Sequence, residues 1–388
     1  MNATHNNNIS DSMSQLKSAH TAANGEAGFT IIETMIAVML FLIVTGSVYG
    51  LLEVARSDRS RTSTRVEMMQ SVRNALNAMG RDAHNAGYGY RRYDSLLPDD
   101  AINSLTGIGA DQGTAPDRLS RVVAGNDITT NSLSGKKTDQ VTFVFGDDTF
   151  NPNDYGVGTP IDVTWTDCQD GNQVITQRSD ARMLNINDIV IIAGAGKSSI
   201  GMVTGKRIDS SIPPKPRCPD AGLQPPTAHI LFDATDPLGI NRTGAENTIR
   251  QVTPPATIQR INIVTYRVLA DGTLVRNVHR GNSATTTSIG SQDQPLAYNV
   301  EDMQIKYIMA DGTETDNPVV GADGIAGTDD DIPKSIEDVR QVRITVIAQN
   351  RDKRTIVTDA NGLTREEPTR VTLSSTFNAR NLVYDPSR

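Results

Sequence analysis

The chain of 388 residues has only two cysteines, Cys168 and Cys218, and five histidines. Two cysteines cannot build a disulfide scaffold, and these two lack metal-site spacing. His5, His20, His84, His229 and His279 are scattered, with no His-Glu-x-x-His pair for zinc. No Gly-x-Ser-x-Gly elbow occurs either. Gly194-Ala195-Gly196-Lys197-Ser198 copies half of a phosphate loop, but Ile191 stands where its first glycine belongs. That stretch reads as a strand running into a turn, and the chain is not expected to be an enzyme. A basic surplus is missing too: Lys+Arg 37 against Asp+Glu 45 gives a net charge of −8. A nucleic-acid partner is therefore not expected, and the basic pairs Arg91-Arg92 and Lys136-Lys137 are too small to make such a face. Aromatics are scarce at 4%, while Gly 31 and Pro 18 imply many turns. That composition suits a loop-rich β domain better than a helical bundle.

What the chain does have is one long apolar run. Thr34 to Leu52 contains no charged residue, and one carboxylate, Glu33, stands at its start. About 20 helical residues cross a bilayer core, so Phe29 to Leu52 is long enough to span. A carboxylate in such a segment costs a few kcal/mol, which makes it a functional residue by default. Residues 1–28 are polar and low in complexity, unable to build a core, and read as disorder or a leader. An ordinary secretory signal has the reverse order, an apolar core before its cleavage site. A late cut near Val48-Tyr49-Gly50 and a plain uncleaved anchor remain alternatives. Beyond the run, Met69, Val72, Leu76, Met79, Ala83 and Ala86 recur at spacings of three and four, an amphipathic stripe. Arg73, Asn77, Arg81 and Asp82 fall between them. One helix is expected from Phe29 to Asn85, broken at Gly87-Tyr88-Gly89. Gly46 and Gly50, four apart, would permit close helix packing or local melting.

Gly28 followed by Phe29-Thr30-Ile31-Ile32-Glu33 resembles the processing site of type IV prepilins and pseudopilins. The resemblance implies a cut by a prepilin peptidase between Gly28 and Phe29, and N-methylation of Phe29. Glu33 would be the assembly residue, pairing with the terminal amine of a neighbouring subunit. The leader departs from the commonly basic pattern, since Lys17 is outweighed by Asp11 and Glu26. Arg81-Asp82 and Ala86-Gly87-Tyr88 are similar to the helix end of PilW-type minor pilins, relatives of the J-type pseudopilins. The implied fold is α+β and pilin-like: a long helix, half membrane-spanning and half amphipathic, packed on an antiparallel β domain. The implied organisation is leader 1–28, helix 29–87 with 29–52 in the membrane, and β-rich domain 88–388, with 90–255 as a variable insertion. The implied partners are the peptidase, other minor and major pilins, the inner-membrane assembly platform and the membrane. The implied location is a single-pass inner-membrane protein with a periplasmic domain, then the pilus.

Within the β domain, residues 90–137 show little periodicity and read as a long loop. Strands are expected at Gln140–Phe145, Ile161–Trp165, Gln173–Gln177, Asp188–Ala193, Ile200–Lys206 and Ala228–Phe232. Ile261–Leu269 and Thr273–Val278 should form a hairpin about Asp271-Gly272. Val300–Met309, Val339–Gln349 and Arg370–Phe377 complete the set, and the last two resemble the C-terminal strands of the same family.

Gly321 to Asp331 places four carboxylates among glycines, which suits a hard cation or a solvated acidic turn. It is similar to the calcium loop of G-type pseudopilins. That analogy implies Ca²⁺ held by Asp323 and Asp330, with the carbonyls of Val320 and Ile325. The acidic loop from Asp147-Asp148 to Asp154 lacks the EF-hand order. Cys168 and Cys218, in a domain the resemblance places outside the cytoplasm, would either pair or remain two thiols. Pairing would close a loop of about 50 residues, worth roughly 3–4 kcal/mol. If the acidic loop is a calcium site, millimolar Ca²⁺ raises the thermal midpoint of the chain. An unchanged midpoint would leave it a solvated turn.

Overall fold

The computed structural model describes residues 29–90, 95–106, 116–150, 160–163, 173–177, 182–194, 196–209, 227–253, 255–279, 292–318, 339–358 and 362–378. Helix α1 is Ile31–Asn85. The chain divides into two compact units, Met1–Ser60 and Arg61–Arg388. After α1 come β1 (Ser95–Leu97), α2 (Ala101–Thr106), β2 (Asp117–Leu119), β3 (Val122–Thr130) and β4 (Lys137–Gly146). Next are β5 (Ile161–Val163), β6 (Gln173–Gln177), β7 (Ile189–Ala193), β8 (Ser198–Met202), β9 (Gly205–Asp209) and β10 (Thr227–Leu231). Then follow β11 (Ala256–Val268), β12 (Leu274–His279), β13 (Gln292–Ala297), β14 (Val300–Met309), β15 (Glu314–Thr315), β16 (Val339–Thr358) and β17 (Thr364–Asn378). A long apolar helix followed by antiparallel sheets is the expected α+β, pilin-like architecture.

In the second unit, the stripe on α1 behaves as its periodicity requires. Val72, Leu76, Met79, Ala83 and Ala86 are buried, while Arg73, Asn77 and Arg81 stay exposed. Two sheets meet this stripe. One supplies Val141, Phe143, Val264, Tyr266 and Leu274, and the other, ordered β15-β14-β16-β17, supplies Met303, Ile305, Val342, Ile344 and Val346. The helix stops where Gly87 and Gly89 take positive φ, 80° and 66°. There the chain joins the sheet: the Gly87 N–H donates to the Val144 carbonyl at 2.8 Å, and the Gly146 N–H donates to the Tyr88 carbonyl at 2.6 Å. A side chain at Gly89 would press on Gly146 and Gln259, so the close approach and the positive φ both require glycine.

Strand β11 belongs to two sheets. Its first half pairs with β5 and β7, and its second half with β4 and β12. Both faces of β4 and β11 are dry. Phe143 and Tyr266 face the helix, whereas Val144, Ile261 and Ile263 belong to a second core with Leu97, Ile102, Leu119, Ile191 and Ile200. A third core lies between β7, β11 and the three-stranded sheet β6-β10-β9, from Val190, Ile192 and Ile258 to Ala228, Ile230 and Phe232.

Two readings need correction. The stretch from Tyr90 to Lys137 is not a long loop, because β1, α2, β2 and β3 lie in it. Short strands, of three residues in β1 and β2, are too brief to show a period. The expected strand Ile200–Lys206 is two strands in different sheets, β8 and β9. Val203 and Thr204 leave the first sheet, their N–H groups donating to the carbonyls of Asp188 and Leu231. In contrast, β6 and β14 have the expected bounds. Gly272 has φ 82° at the expected hairpin turn, and its carbonyl accepts from the Val300 N–H at 2.8 Å.

Asp82 is the third surprise, a carboxylate on the packed side of the helix with 2% exposure. It accepts from the Tyr266 hydroxyl at 2.6 Å and from Arg276 Nε at 2.8 Å. Burial disfavours the Arg276 charge, but the Asp82 carboxylate outweighs it and raises the Arg276 pKa. Removing one partner of a buried pair leaves the other uncompensated. Asp82→Ala should therefore cost about 3–5 kcal/mol in denaturant unfolding of the full chain in detergent. Tyr266→Phe should lose about 1 kcal/mol.

A second buried carboxylate gives a pH test. Asp139 on β4 accepts from the Ile305 N–H at 2.7 Å and the Asp127 N–H at 3.0 Å, tying β4 to β14. Desolvation nevertheless raises its pKa to about 6. The folded state then holds an extra proton between about pH 4 and 6, so this contribution to stability falls as pH rises through that window. Burial lowers His279 to about 4, which acts in the opposite sense over the same range. The difference between wild type and Asp139→Asn isolates Asp139. Wild type should lose up to about 3 kcal/mol relative to the variant from pH 4 to 7, and a flat difference would contradict the shift.

Candidate assembly site

In the first unit, the helix from Ile31 to Leu52 is apolar on every face, with Glu33 as its one charged residue. Phe29 is 78% exposed and Ile31 81%, and large side chains from Ile32 to Val54 are exposed around the whole circumference. None of the most apolar 18-residue window is buried, and the helix is long and apolar enough to cross a membrane. Such a surface needs lipid or other helices around it. Two hydroxyls within it are satisfied locally. Thr34 Oγ1 donates to the Ile31 carbonyl at 2.8 Å, and Ser47 Oγ donates to the Ile43 carbonyl at 2.6 Å. These back-bonds hide hydroxyls that would otherwise face hydrocarbon.

Glu33 differs. Its backbone N–H donates to Thr30 Oγ1 at 3.3 Å, so Thr30 caps the helix. The carboxylate sits in the first turn, where the helix dipole favours negative charge. Among the described residues, no cation pairs with it. The apolar helix therefore presents one acid without a partner, and a cation from another molecule could meet it there. Thr30 is a capping residue at this site that the sequence reading missed. Its signal was Thr-x-x-Glu ahead of an apolar run, the capping-box pattern.

The other expected site residues are not brought to this place. Gly28 lies outside the described residues, as do Val320, Asp323, Ile325 and Asp330 of the acidic loop, and Cys168 and Cys218. Among the described residues, no group of three or more His, Cys, Asp or Glu side chains is placed to hold a metal. Asp147 of the shorter acidic loop is committed to Arg260 Nε at 2.8 Å. Gly194 turns β7 into β8, its N–H donating to the Lys197 carbonyl at 3.0 Å, so the half phosphate loop leads to a strand. Lys136 of the second basic pair is half exposed and pairs with Glu301 at 3.1 Å. A cavity of about 230 Å³ lined by Gly89, Pro160, Ile191, Ala193, Gly194, Thr257 and Gln259 contains no titratable side chain.

No curated protein and no solved structure matches the chain. Residues 23–49 match the family described as the prokaryotic N-terminal methylation motif. That segment holds Gly28, Phe29, Thr30 and Glu33 together with most of the exposed apolar helix. Motif and helix together support a type IV prepilin-like protein.

Proposed function

We propose that the chain is a minor pilin of a type IV pilus. A prepilin peptidase cuts after Gly28 and Phe29 is N-methylated. The mature chain sits in the inner membrane with its β domain in the periplasm, then enters or primes the filament alongside other minor and major pilins. The observation that carries this reading is the unpartnered Glu33 carboxylate at the head of an all-round apolar helix inside the methylation motif. In a bundle of such helices, the amine of a neighbour's Phe29 supplies the missing cation. Pairing neutralises two charges that would each be costly in an apolar surround. It also fixes the axial stagger of adjacent subunits. The helix end bearing Asp82, Gly87 and Tyr88 supports the PilW-type assignment. A minor pseudopilin of a type II secretion system uses the same chemistry and is the second reading.

Two experiments test this. The mass of the mature N terminus should equal a chain starting at Phe29 plus one methyl group, and an intact leader would refute the processing site. Glu33→Val should leave cleavage unchanged but lower filament incorporation at least tenfold. Normal incorporation would remove the assembly role from Glu33.

A further inference from the structure

The cavity at the end of the second core is lined by two polar side chains, Thr257 and Gln259. Along β11, Ile263 and Ile261 belong to that core, and Gln259 and Thr257 follow at the same two-residue spacing on the same face. Their partners on β7 are Ile191 and Ala193, and Asp162 on β5 stands opposite Thr257. Pro160, Gly194 and Gly89 complete a cavity of about 230 Å³ over this floor. Gln259 is only 6% exposed. Among the described residues, neither its amide nor the Thr257 hydroxyl has a hydrogen-bond partner. The amide head has room because of two glycines: a Cβ at Gly89 or Gly146 would lie 3.1 Å or 2.8 Å from Gln259 Nε2. Valine or leucine at 257 and 259 would simply extend the core, so two unpaired polar heads are a cost that folding does not explain.

The chemistry of the lining selects the ligand. It includes no cation, and the exposed Asp162 stands beside it, so phosphates and carboxylates are disfavoured. Here β11 is hydrogen-bonded on both sides, to β5 and β7, so the floor offers no free edge to a peptide strand. The volume falls below the roughly 300–1,000 Å³ of pockets that take drug-sized ligands, which leaves a nucleotide too large. The amide and the hydroxyl each give and take hydrogen bonds. They stand about 7 Å apart along the strand, with apolar Ile191, Ala193 and Pro160 beside them. A single pyranose ring meets both demands: its hydroxyls donate and accept around its edge, and its C–H faces are apolar. We propose that this cavity binds one uncharged sugar residue, held by Gln259 and Thr257. Sugar binding here is independent of the pilin reading, and an uncut N terminus would leave it standing.

The test titrates the full chain, in lipid nanodiscs rather than a sugar-headed detergent, with glucose, galactose, mannose and N-acetylglucosamine, read by saturation-transfer NMR. A ligand of about a dozen non-hydrogen atoms on two polar contacts should bind in the millimolar range, so at least one of the four should saturate wild type below about 50 mM. Gln259→Leu should weaken that binding about tenfold and Thr257→Val about threefold. Both variants should hold or raise the thermal midpoint, because each removes an unpaired polar group. Replacing a residue kept for structure alone would lower it. Glucuronate should bind more weakly than glucose. Tighter binding of a disaccharide than of its free sugar would make the occupant the end of a glycan chain, and weaker binding would make it a free sugar. No saturable binding by any of the four would overturn the proposal, as would binding unchanged in Gln259→Leu. Saturable, Gln259-dependent binding of N-acetylglycinamide with no sugar bound would overturn it in favour of an uncharged amide.

Discussion

Val72, Leu76, Met79 and Ala83 recur every three or four residues, and a helix so patterned cannot keep that side in water. Meeting that demand shapes much of the second unit. The β4–β11–β12 sheet and the β14–β16–β17 sheet both turn apolar faces to the stripe. Where two sheets must converge on one helix, polar groups at their junction have to be paired, because no water remains to satisfy them. Asp139, Asn131 and Glu301 do this. Asn131 Nδ2 donates to the Val300 carbonyl at 2.6 Å, and Glu301 is held between Lys136 and Arg370. The Asp82 pair does the same between helix and hairpin, and ties helix register to Tyr266 and Arg276.

The same β4–β11 sheet is covered on its other face by chain that comes between residues 90 and 255. Its strands are hydrogen-bonded into the sheet, β4 directly to β11, and β7 to the first half of the same strand. This explains the apolar run Val141 to Phe145, interrupted only by Thr142. Its hydroxyl is within hydrogen-bond distance of the Thr265 hydroxyl on the neighbouring strand, at 2.8 Å. A strand dry on both faces loses the alternation that marks a half-exposed one.

Much of the architecture was legible because its signals are long. The apolar run, the helical stripe, the Gly87-Tyr88-Gly89 stop and the strands of the last hundred residues each repeat a period several times. The stretch from Tyr90 to Lys137 was opaque for the opposite reason. Three-residue strands such as β1 carry no period, and Leu97, Ile102 and Leu119 reveal their common core only when the chain brings them together. Asp82 was misplaced because charge usually marks the wet side of a helix, and its partners Tyr266 and Arg276 are far away in sequence. At the candidate site, Glu33 stood out by its isolation. Thr30 did not, since a threonine at the edge of an apolar segment is unremarkable until its hydroxyl is seen accepting a backbone N–H.

That cap has a kinetic meaning. A helix is slow to start and quick to extend, because its first turn fixes several residues for a single bond. Here the starting turn is closed by Thr30 itself, through its hydroxyl to the Glu33 N–H and its carbonyl to the Thr34 N–H. Every group that nucleates α1 therefore lies on the Phe29 side of the Gly28–Phe29 bond. Severing that bond would leave the helix already begun, with a new amine one residue ahead of its cap, and no refolding would separate cleavage from use.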